Sequence, residues 1–168
     1  VQTLHDNDPQ NNYLERAVTF NPQNRLSGAV KIKVAGNYAY VLSETSGLNI
    51  IDIENPRSPR WVAGIGAPGI TGGRSLAIQF RYAFVADQRG VKVVDISDPT
   101  KPRQALDAEL QFADARDIYA VRTWLYVAAG RDGIGIVDIE NPERPRLLRM
   151  FSANGQLNDV YSVTTGAV

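Results

Sequence analysis

The chain has 168 residues, with 18 basic and 18 acidic side chains and no cysteine. Because the charges balance, we expect no general electrostatic surface for nucleic acid or an anionic membrane. The lack of cysteine excludes disulfides, thiol nucleophiles, Cys-ligated zinc and covalent c-type haem within these residues, and no run of about 18 apolar residues predicts a membrane span.

One pattern occurs three times along the chain. In the first copy an aromatic-x-aromatic-Val segment at Tyr38–Val41 is followed by Gly47 and by an alternating apolar strand that ends in Asp-Ile and Asn-Pro. The Asp residues of this strand, Asp52, Asp95 and Asp138, are 43 residues apart. A period of this length built from short strands is typical of stacked β units, because one unit alone cannot bury its apolar faces.

Each copy predicts four short strands. In the first copy they are Lys31–Ala35, Tyr38–Ser43, Leu48–Glu54 and Arg60–Ile65. The third strand is apolar on both of its faces, so both faces must be covered by neighbouring sheets. No segment has a convincing helical period. The sequence therefore predicts an all-β fold, a β-propeller of four-stranded antiparallel blades.

The repeat boundaries predict blades at residues 30–73, 74–115 and 116–158. Residues 159–168 are predicted to form the first strand of a further blade, because Asn158–Val163 matches Arg116–Val121. Residues 1–29 form an N-terminal segment in which Arg16–Phe20 is interpreted as the outer strand of a preceding blade.

The predicted ring is incomplete within this chain, since propellers have about four to eight blades. We expect further polypeptide, from the same chain or from a second copy, to contact both flanks. One apolar face of the third blade is predicted to lack a cover, either the face of Ile134 and Ile136 or the face of Val137 and Ile139.

The repeated strand reads Leu48–Asp52, Val91–Asp95 and Ile134–Asp138 in the three copies. In this strand and in the elements around it, the chain resembles the LVIVD-repeat propellers over about residues 30–168. Members of that family are usually secreted or cell-surface proteins of bacteria and archaea. The resemblance implies a platform for binding or scaffolding, and it supplies no catalytic signature.

The candidate binding residues lie where first strands begin, at the rim of the predicted channel. They are Arg74, Arg116, Asp117 and Asp159. Equivalent positions converge on the axis of a propeller, so alternating charges here form either a site for a small anion or a partner's loop, or a salt-bridge ring that neutralises itself.

Other motifs favour structural interpretations. The glycine motif at Gly64–Gly69 leads into a strand rather than a helix, which indicates a connection between blades instead of a cofactor loop. The repeated Asp is interpreted as a buried acceptor for backbone N–H groups of the Asn/Asp-Pro turn. Tyr38, Tyr82 and Trp124 are expected to pack within blades rather than bind sugar. The cluster at His5–Asp8 is interpreted as a solvated N-terminal stretch rather than a metal site.

Two function classes follow from these features. The favoured class is a non-catalytic binding or scaffold propeller, extracellular or at the cell surface, whose loops meet a protein, polymer or glycan. The alternative is a propeller domain or subunit of a larger enzyme or redox assembly whose cofactors lie elsewhere. No cofactor is expected in this chain.

Overall fold

The computed structural model describes residues 18–164, which form three four-stranded antiparallel sheets. Within each sheet the strands lie in chain order. The first blade holds β1 (Ala29–Ala35), β2 (Tyr38–Ser43), β3 (Gly47–Asp52) and β4 (Arg60–Ile65). The second blade holds β5 (Ser75–Gln79), β6 (Tyr82–Asp87), β7 (Gly90–Asp95) and β8 (Arg103–Gln104). The third blade holds β9 (Asp117–Val121), β10 (Trp124–Ala128), β11 (Ile134–Asp138) and β12 (Arg146–Phe151).

The prediction of an all-β fold with four-stranded antiparallel blades is confirmed. Helical structure in the described residues amounts to two single 3-10 turns, Pro22–Asn24 and Leu106–Ala108. Within residues 18–164, no helix has the length and apolar character needed to cross a membrane.

The first strand of each blade lies innermost, as the sequence predicts. Strand β5 packs between β1 of the preceding blade and β9 of the following blade. Side chains and backbone of these three strands line a hollow of about 220 Å³. The start of each first strand therefore lies near the axis, where side chains from different blades can meet.

Apolar faces of adjacent blades pack against each other and form the core. Between the first and second blades the buried residues include Leu42, Leu48, Ile50, Leu76, Val85 and Val94. Between the second and third blades they include Phe84, Val91, Val93, Leu125, Val127, Val137 and Ile139. The second blade is thus covered on both faces. This explains why both faces of its third strand are apolar, whereas a strand with one face in water would have one polar face.

The repeated Asp at the end of each third strand has two partners in every blade. One carboxylate oxygen accepts the N–H of the residue two positions later, at 3.0 Å for Asp52, 2.9 Å for Asp95 and 2.9 Å for Asp138. The other oxygen pairs with an arginine eight residues later, which starts the fourth strand; the pairs are Arg60 with Asp52, Arg103 with Asp95 and Arg146 with Asp138.

This pairing extends the predicted role of the repeated Asp. The carboxylate accepts a backbone N–H, as expected, but it is half-buried rather than buried, and the arginine was not predicted. Backbone hydrogen bonding, with a further contribution from the arginine, holds the pKa of Asp52 and Asp138 below the ordinary value. Both donors lie at the solvent-exposed edge of the blade, so the loss of one carboxylate leaves no deeply buried donor without a partner.

The Asp95→Ala variant should therefore lose about 0.5–1.5 kcal/mol of unfolding free energy, which is less than the loss of about 1–3 kcal/mol that a buried acceptor would imply. Urea denaturation of the variant and the wild type measures this difference. Ligand binding at the rim should not change. A variant that melts like the wild type but loses binding would make this carboxylate functional instead.

Two connections between blades differ in structure. The glycine motif at Gly64–Gly69 begins in β4 and continues into a turn, where the N–H of Ile70 donates to the carbonyl of Gly66 at 3.2 Å. Strand β5 follows, as expected for a connection. In the second blade, the fourth strand is only Arg103–Gln104; a 3-10 turn interrupts it, and pairing resumes at Leu110, which bridges Val91.

The segments at the two ends of the described chain contain no regular strand. Val18–Phe20 are not in a strand, and Arg16 and Ala17 lie outside the described residues. Near the other end, Val160 makes a single bridge with Gly130, and Tyr161–Thr164 are irregular. The strand expected at Asp159–Val163 is thus not formed in residues 159–164, because no further strand among the described residues pairs with it. The proposed extent of these two segments stays a prediction.

The face of the third blade that no other blade in residues 18–164 covers is the one that carries Ile134 and Ile136. Val137 and Ile139 are fully buried against the second blade, whereas Ile134 and Ile136 are half-buried on the opposite side. Tyr126 of β10 lies opposite Ile136 of β11 and opposite Tyr119 of β9. We call these four half-buried residues the open face: Tyr119, Tyr126, Ile134 and Ile136.

The outer face of the first blade is covered in part. Phe20 and Leu26 of the N-terminal segment pack against a cluster formed by Ala39, Val41 and Ile51. Towards the axis none of residues 18–164 covers the same face, and Ile32 and Val34 are 59% and 61% exposed. The two flanks of the stack therefore differ in how much apolar surface they expose.

Substitutions on the two faces of the third blade should differ in cost. Leu125→Ala removes a fully buried side chain from the interface with the second blade, and should cost about 2–5 kcal/mol. Ile136→Ala on the open face should cost clearly less, since its side chain is half exposed. Urea denaturation compares the two variants. Equal losses would mean that the open face is covered in solution.

Candidate functional site at the channel rim

The first strands begin in the same way in the second and third blades. The N–H of Arg74 donates to the carbonyl of Ala86 at 2.8 Å, and the N–H of Arg116 donates to that of Ala128 at 2.9 Å. These bonds fix both arginines at the same edge of their blades, beside the connections that enter the first strands. The edge that holds them is called the rim below.

The two arginines are bridged by a carboxylate that the sequence analysis did not select. Asp114 lies 2.8 Å from Nη1 of Arg74 and 2.7 Å from Nε of Arg116. Arg116 also pairs with Asp159 at 2.6 Å, and its guanidinium lies 4.3 Å from the centre of the Tyr161 ring. We call Arg74, Asp114, Arg116 and Asp159 the rim network.

Electrostatics favours the ionised forms of Asp114 and Arg116 in this network. Partial burial acts to raise the pKa of Asp114, but hydrogen bonds from Arg116 and Arg74 outweigh it and the pKa is lowered. The hydrogen bond to Asp159, helped by Asp114, raises the pKa of Arg116. Two positive and two negative charges balance within the network, which is the salt-bridge arrangement considered from the sequence.

Asp117 belongs to a different cluster, next to the rim network but nearer the axis. Ser75 Oγ donates to its carboxylate at 2.6 Å, Ser162 Oγ at 2.5 Å and the N–H of Val163 at 3.2 Å. The ammonium of Lys31 lies 3.5 Å away. This axial cluster joins one residue from each blade to the segment that follows the third blade.

Of the four predicted site residues, the structure thus brings three together. Arg74, Arg116 and Asp159 share the rim network, while Asp117 is 7% exposed and lies in the axial cluster. The rim network remains accessible, because the side chain of Arg74 is 40% exposed and that of Asp159 is 61% exposed. Ligand binding by these residues stays a prediction.

Several residues of the site were not identified from the sequence. Lys31 and Ser75 occupy the repeat position of Asp117, so alignment of the three copies contained a signal for the axial cluster. Asp114 has no acidic counterpart in the other copies, where Gly72 and Gln156 stand at the same offset. Asp114 bridges two arginines only because neighbouring blades bring them close together, and the sequence of a single repeat does not show this contact.

The rim also has an open cleft next to the network. Arg131, Asn158 and Tyr161 line it together with Arg116 and Asp159, and its volume is about 590 Å³. No group of three or more His, Asp or Glu side chains in the described part of the chain is arranged to hold a metal ion. The stretch His5–Asp8 lies outside the described residues.

The three predicted packing aromatics are found in different environments. Tyr82 is buried, and its hydroxyl lies 3.4 Å from Glu143 of the next blade. Tyr38 is half-buried and packs at the edge of the interface between the first two blades. Trp124 is 36% exposed. The first two therefore fit the expected packing role more closely than Trp124.

These stacked four-stranded blades define a repeat protein of the propeller type. The model of the LVIVD repeat matches residues 28–63, 73–106 and 113–152, which together make up more than half of the chain. The chain belongs to the LVIVD-repeat family. No curated protein is similar enough in sequence to count as a match.

A solved structure supports the fold. The chain is similar to the crystal structure of the computationally designed Ika8 protein, with a TM-score of 0.61 and 11% sequence identity. The similarity covers 81% of this chain and 39% of the designed protein, so this chain spans about two fifths of the length of that relative. At this identity the comparison concerns the fold alone.

The axial cluster should make stability depend on acid pH through Asp117. Burial acts to raise the pKa of this carboxyl, but hydrogen bonds from Ser162, Ser75 and the N–H of Val163 outweigh it, and the pKa is lowered. A lowered folded-state pKa stabilises the fold fully above the unfolded value of about 3.9, and this stabilisation is lost as pH falls through the folded value.

Asp117→Asn should therefore lower the unfolding free energy at neutral pH and reduce its decline in acid. Removal of the whole side chain in Asp117→Ala should cost about 1–3 kcal/mol, since it leaves the buried hydroxyl of Ser75 without its acceptor. Urea denaturation of both variants between neutral and acid pH tests this. If the wild type and Asp117→Asn decline in parallel, the carboxyl does not have a lowered pKa.

Proposed function

We propose that this chain forms part of a non-catalytic binding or scaffold propeller, secreted or at the cell surface, whose rim loops meet a protein, polymer or glycan. The observation that supports this best is the rim itself. It holds exposed charged groups from consecutive blades in fixed positions, with the guanidinium of Arg116 placed between two carboxylates and the Tyr161 ring. Rigidly held polar groups on a stable scaffold are typical of recognition surfaces.

The proposal includes further polypeptide that completes the propeller. The open face exposes apolar side chains at positions that are covered in the other two blades. Tyr126 corresponds to Tyr40 and Phe84, which are 3% and 0% exposed against their following blades. A four-stranded blade from the same polypeptide or from a second copy would bury the open face in the same way.

The alternative proposal is a propeller domain or subunit of a larger enzyme or redox assembly. It is compatible with the same scaffold, because a propeller can hold a neighbouring domain as well as a free ligand. The two proposals differ in where the ligand-binding residues lie. The first requires the rim of these blades, and the second places substrate and cofactors on other polypeptide.

A binding experiment on arrayed glycans and polysaccharides tests the first proposal. Arg74→Ala/Arg116→Ala removes two rim arginines, and Arg57→Ala/Arg144→Ala removes two exposed arginines from the opposite edge as a control with equal charge change. The rim variant should lose at least about tenfold in affinity for the bound ligands, as expected when charged hydrogen bonds are removed. The control should bind like the wild type.

Binding that is equally strong in both double variants would contradict a role of the rim. Absence of binding to every arrayed ligand would also count against the first proposal for glycans. Thermal melts of both variants are needed beside the array, since the rim variant leaves Asp114 and Asp159 without their arginines.

A further inference from the structure

A second cleft lies on the rim of the second blade, apart from the rim network. It is formed between the β6–β7 hairpin and the connection to the third blade, and its volume is about 630 Å³. This volume falls in the range of small-ligand sites, about 300–1,000 Å³. Six of its lining residues are Gln88, Arg89, Lys92, Glu109, Gln111 and Phe112.

The cleft contains a buried cation that is specific to the second blade. Lys92 is 1% exposed and lies on the face of β7 that packs towards the first blade. The equivalent residues are Asn49 in the first blade and Gly135 in the third. Burial of a lysine side chain costs free energy unless its ammonium is paired, so the repeat alone gives no structural reason for a charge at this position.

Lys92 is paired with a carboxylate at the mouth of the cleft. Its ammonium lies 2.6 Å from Glu109 Oε2, and Gln104 Nε2 donates to the other oxygen of Glu109 at 3.0 Å. An ammonium has three donors. One carboxylate oxygen thus leaves donor capacity on Lys92, which lines the cleft.

A second cation stands at the tip of the hairpin. Arg89 is exposed, and one terminal nitrogen of its guanidinium donates to the backbone carbonyls of Pro68 and Gly69. Among residues 18–164 it forms no ion pair with a carboxylate, in contrast to Arg74 and Arg116. Two cations and one carboxylate give the cleft a net charge of +1, and the unused donors of Arg89 can hold a carboxylate through two parallel hydrogen bonds.

We propose that this cleft binds a uronic acid unit of an acidic polysaccharide. Arg89 binds the sugar carboxylate, and Lys92 donates to a hydroxyl or ring oxygen. The amides of Gln88 and Gln111 both donate and accept hydrogen bonds, which suits a ligand dense in hydroxyl groups better than an apolar peptide side chain. This inference rests on the proposed binding function and specifies its ligand class.

Titration calorimetry of the 168-residue chain with trigalacturonate tests the proposal. The methyl ester of the same trisaccharide keeps the sugar and removes the charge, so it should bind at least about tenfold more weakly. Arg89→Gln should weaken trigalacturonate binding by a similar factor without a change in melting temperature, because this side chain is exposed. Arg144→Gln, at an exposed position on the opposite edge of the third blade, should bind like the wild type.

A second variant tests the buried cation. Lys92→Gln/Glu109→Gln removes both charges together and should abolish binding while circular dichroism shows a retained β-sheet spectrum. If this variant does not fold, Arg89→Gln and the methyl ester still decide the question.

The proposal would be overturned by equal affinity for the acid and its ester, by normal binding in Arg89→Gln, or by no binding of trigalacturonate. Tighter binding of tri-glutamate than of trigalacturonate would assign the cleft to acidic peptides instead. If trigalacturonate does not bind this cleft but binding of arrayed ligands is lost in Arg74→Ala/Arg116→Ala, the proposed binding function of the rim is retained and only the ligand assigned to this cleft is wrong.

Discussion

The burial of apolar blade faces against one another is the interaction on which the rest of the structure depends. A four-stranded sheet of this size cannot cover two apolar faces by itself, and the second blade is stable because a neighbour covers each side. The same stacking places the starts of β1, β5 and β9 side by side near the axis. Contacts such as Lys31 and Ser75 with Asp117 exist because three blades meet there.

Ion pairs at the two edges of each blade, the edge with the Asn/Asp-Pro turns and the rim, stabilise different parts of the fold. At the edge with the Asn/Asp-Pro turns, an Asp and an Arg eight residues apart pair within one blade, and the pair recurs three times. Here a pair between blades is formed by Arg103, which also contacts Glu143 of the third blade. At the rim, by contrast, pairs join different blades, as when Asp114 contacts both Arg74 and Arg116. Local pairs define where a fourth strand begins, whereas pairs between blades fix the relative positions of the loops that a ligand would meet.

The sequence predicted the strands well because each third strand lies between a Gly and an Asn/Asp-Pro pair and the whole pattern repeats in register. It predicted three of four rim residues in one network for the same reason, since Arg74 and Arg116 share a repeat position. It did not predict Asp114, because a contact between blades depends on residues that differ from copy to copy. The short length of β8 was not predicted either. The second blade has a 3-10 turn at Leu106–Ala108 and pairs again at Leu110, and the repeat pattern contains no signal for this interruption.

Differences between copies are therefore the more informative guide to function in such a repeat. Positions that recur, such as Asp52, Asp95 and Asp138, are explained by the needs of every blade. Position 92 and its equivalents differ instead: Asn49 donates to neighbouring oxygens in the first blade, and a Cβ on Gly135 would collide with the Phe112 ring. Only in the second blade does this position hold a buried charge beside an open cleft. The ammonium pairs with Glu109, which offsets part of the cost of its burial, and the cleft beside it is where the proposed ligand would supply a further acceptor.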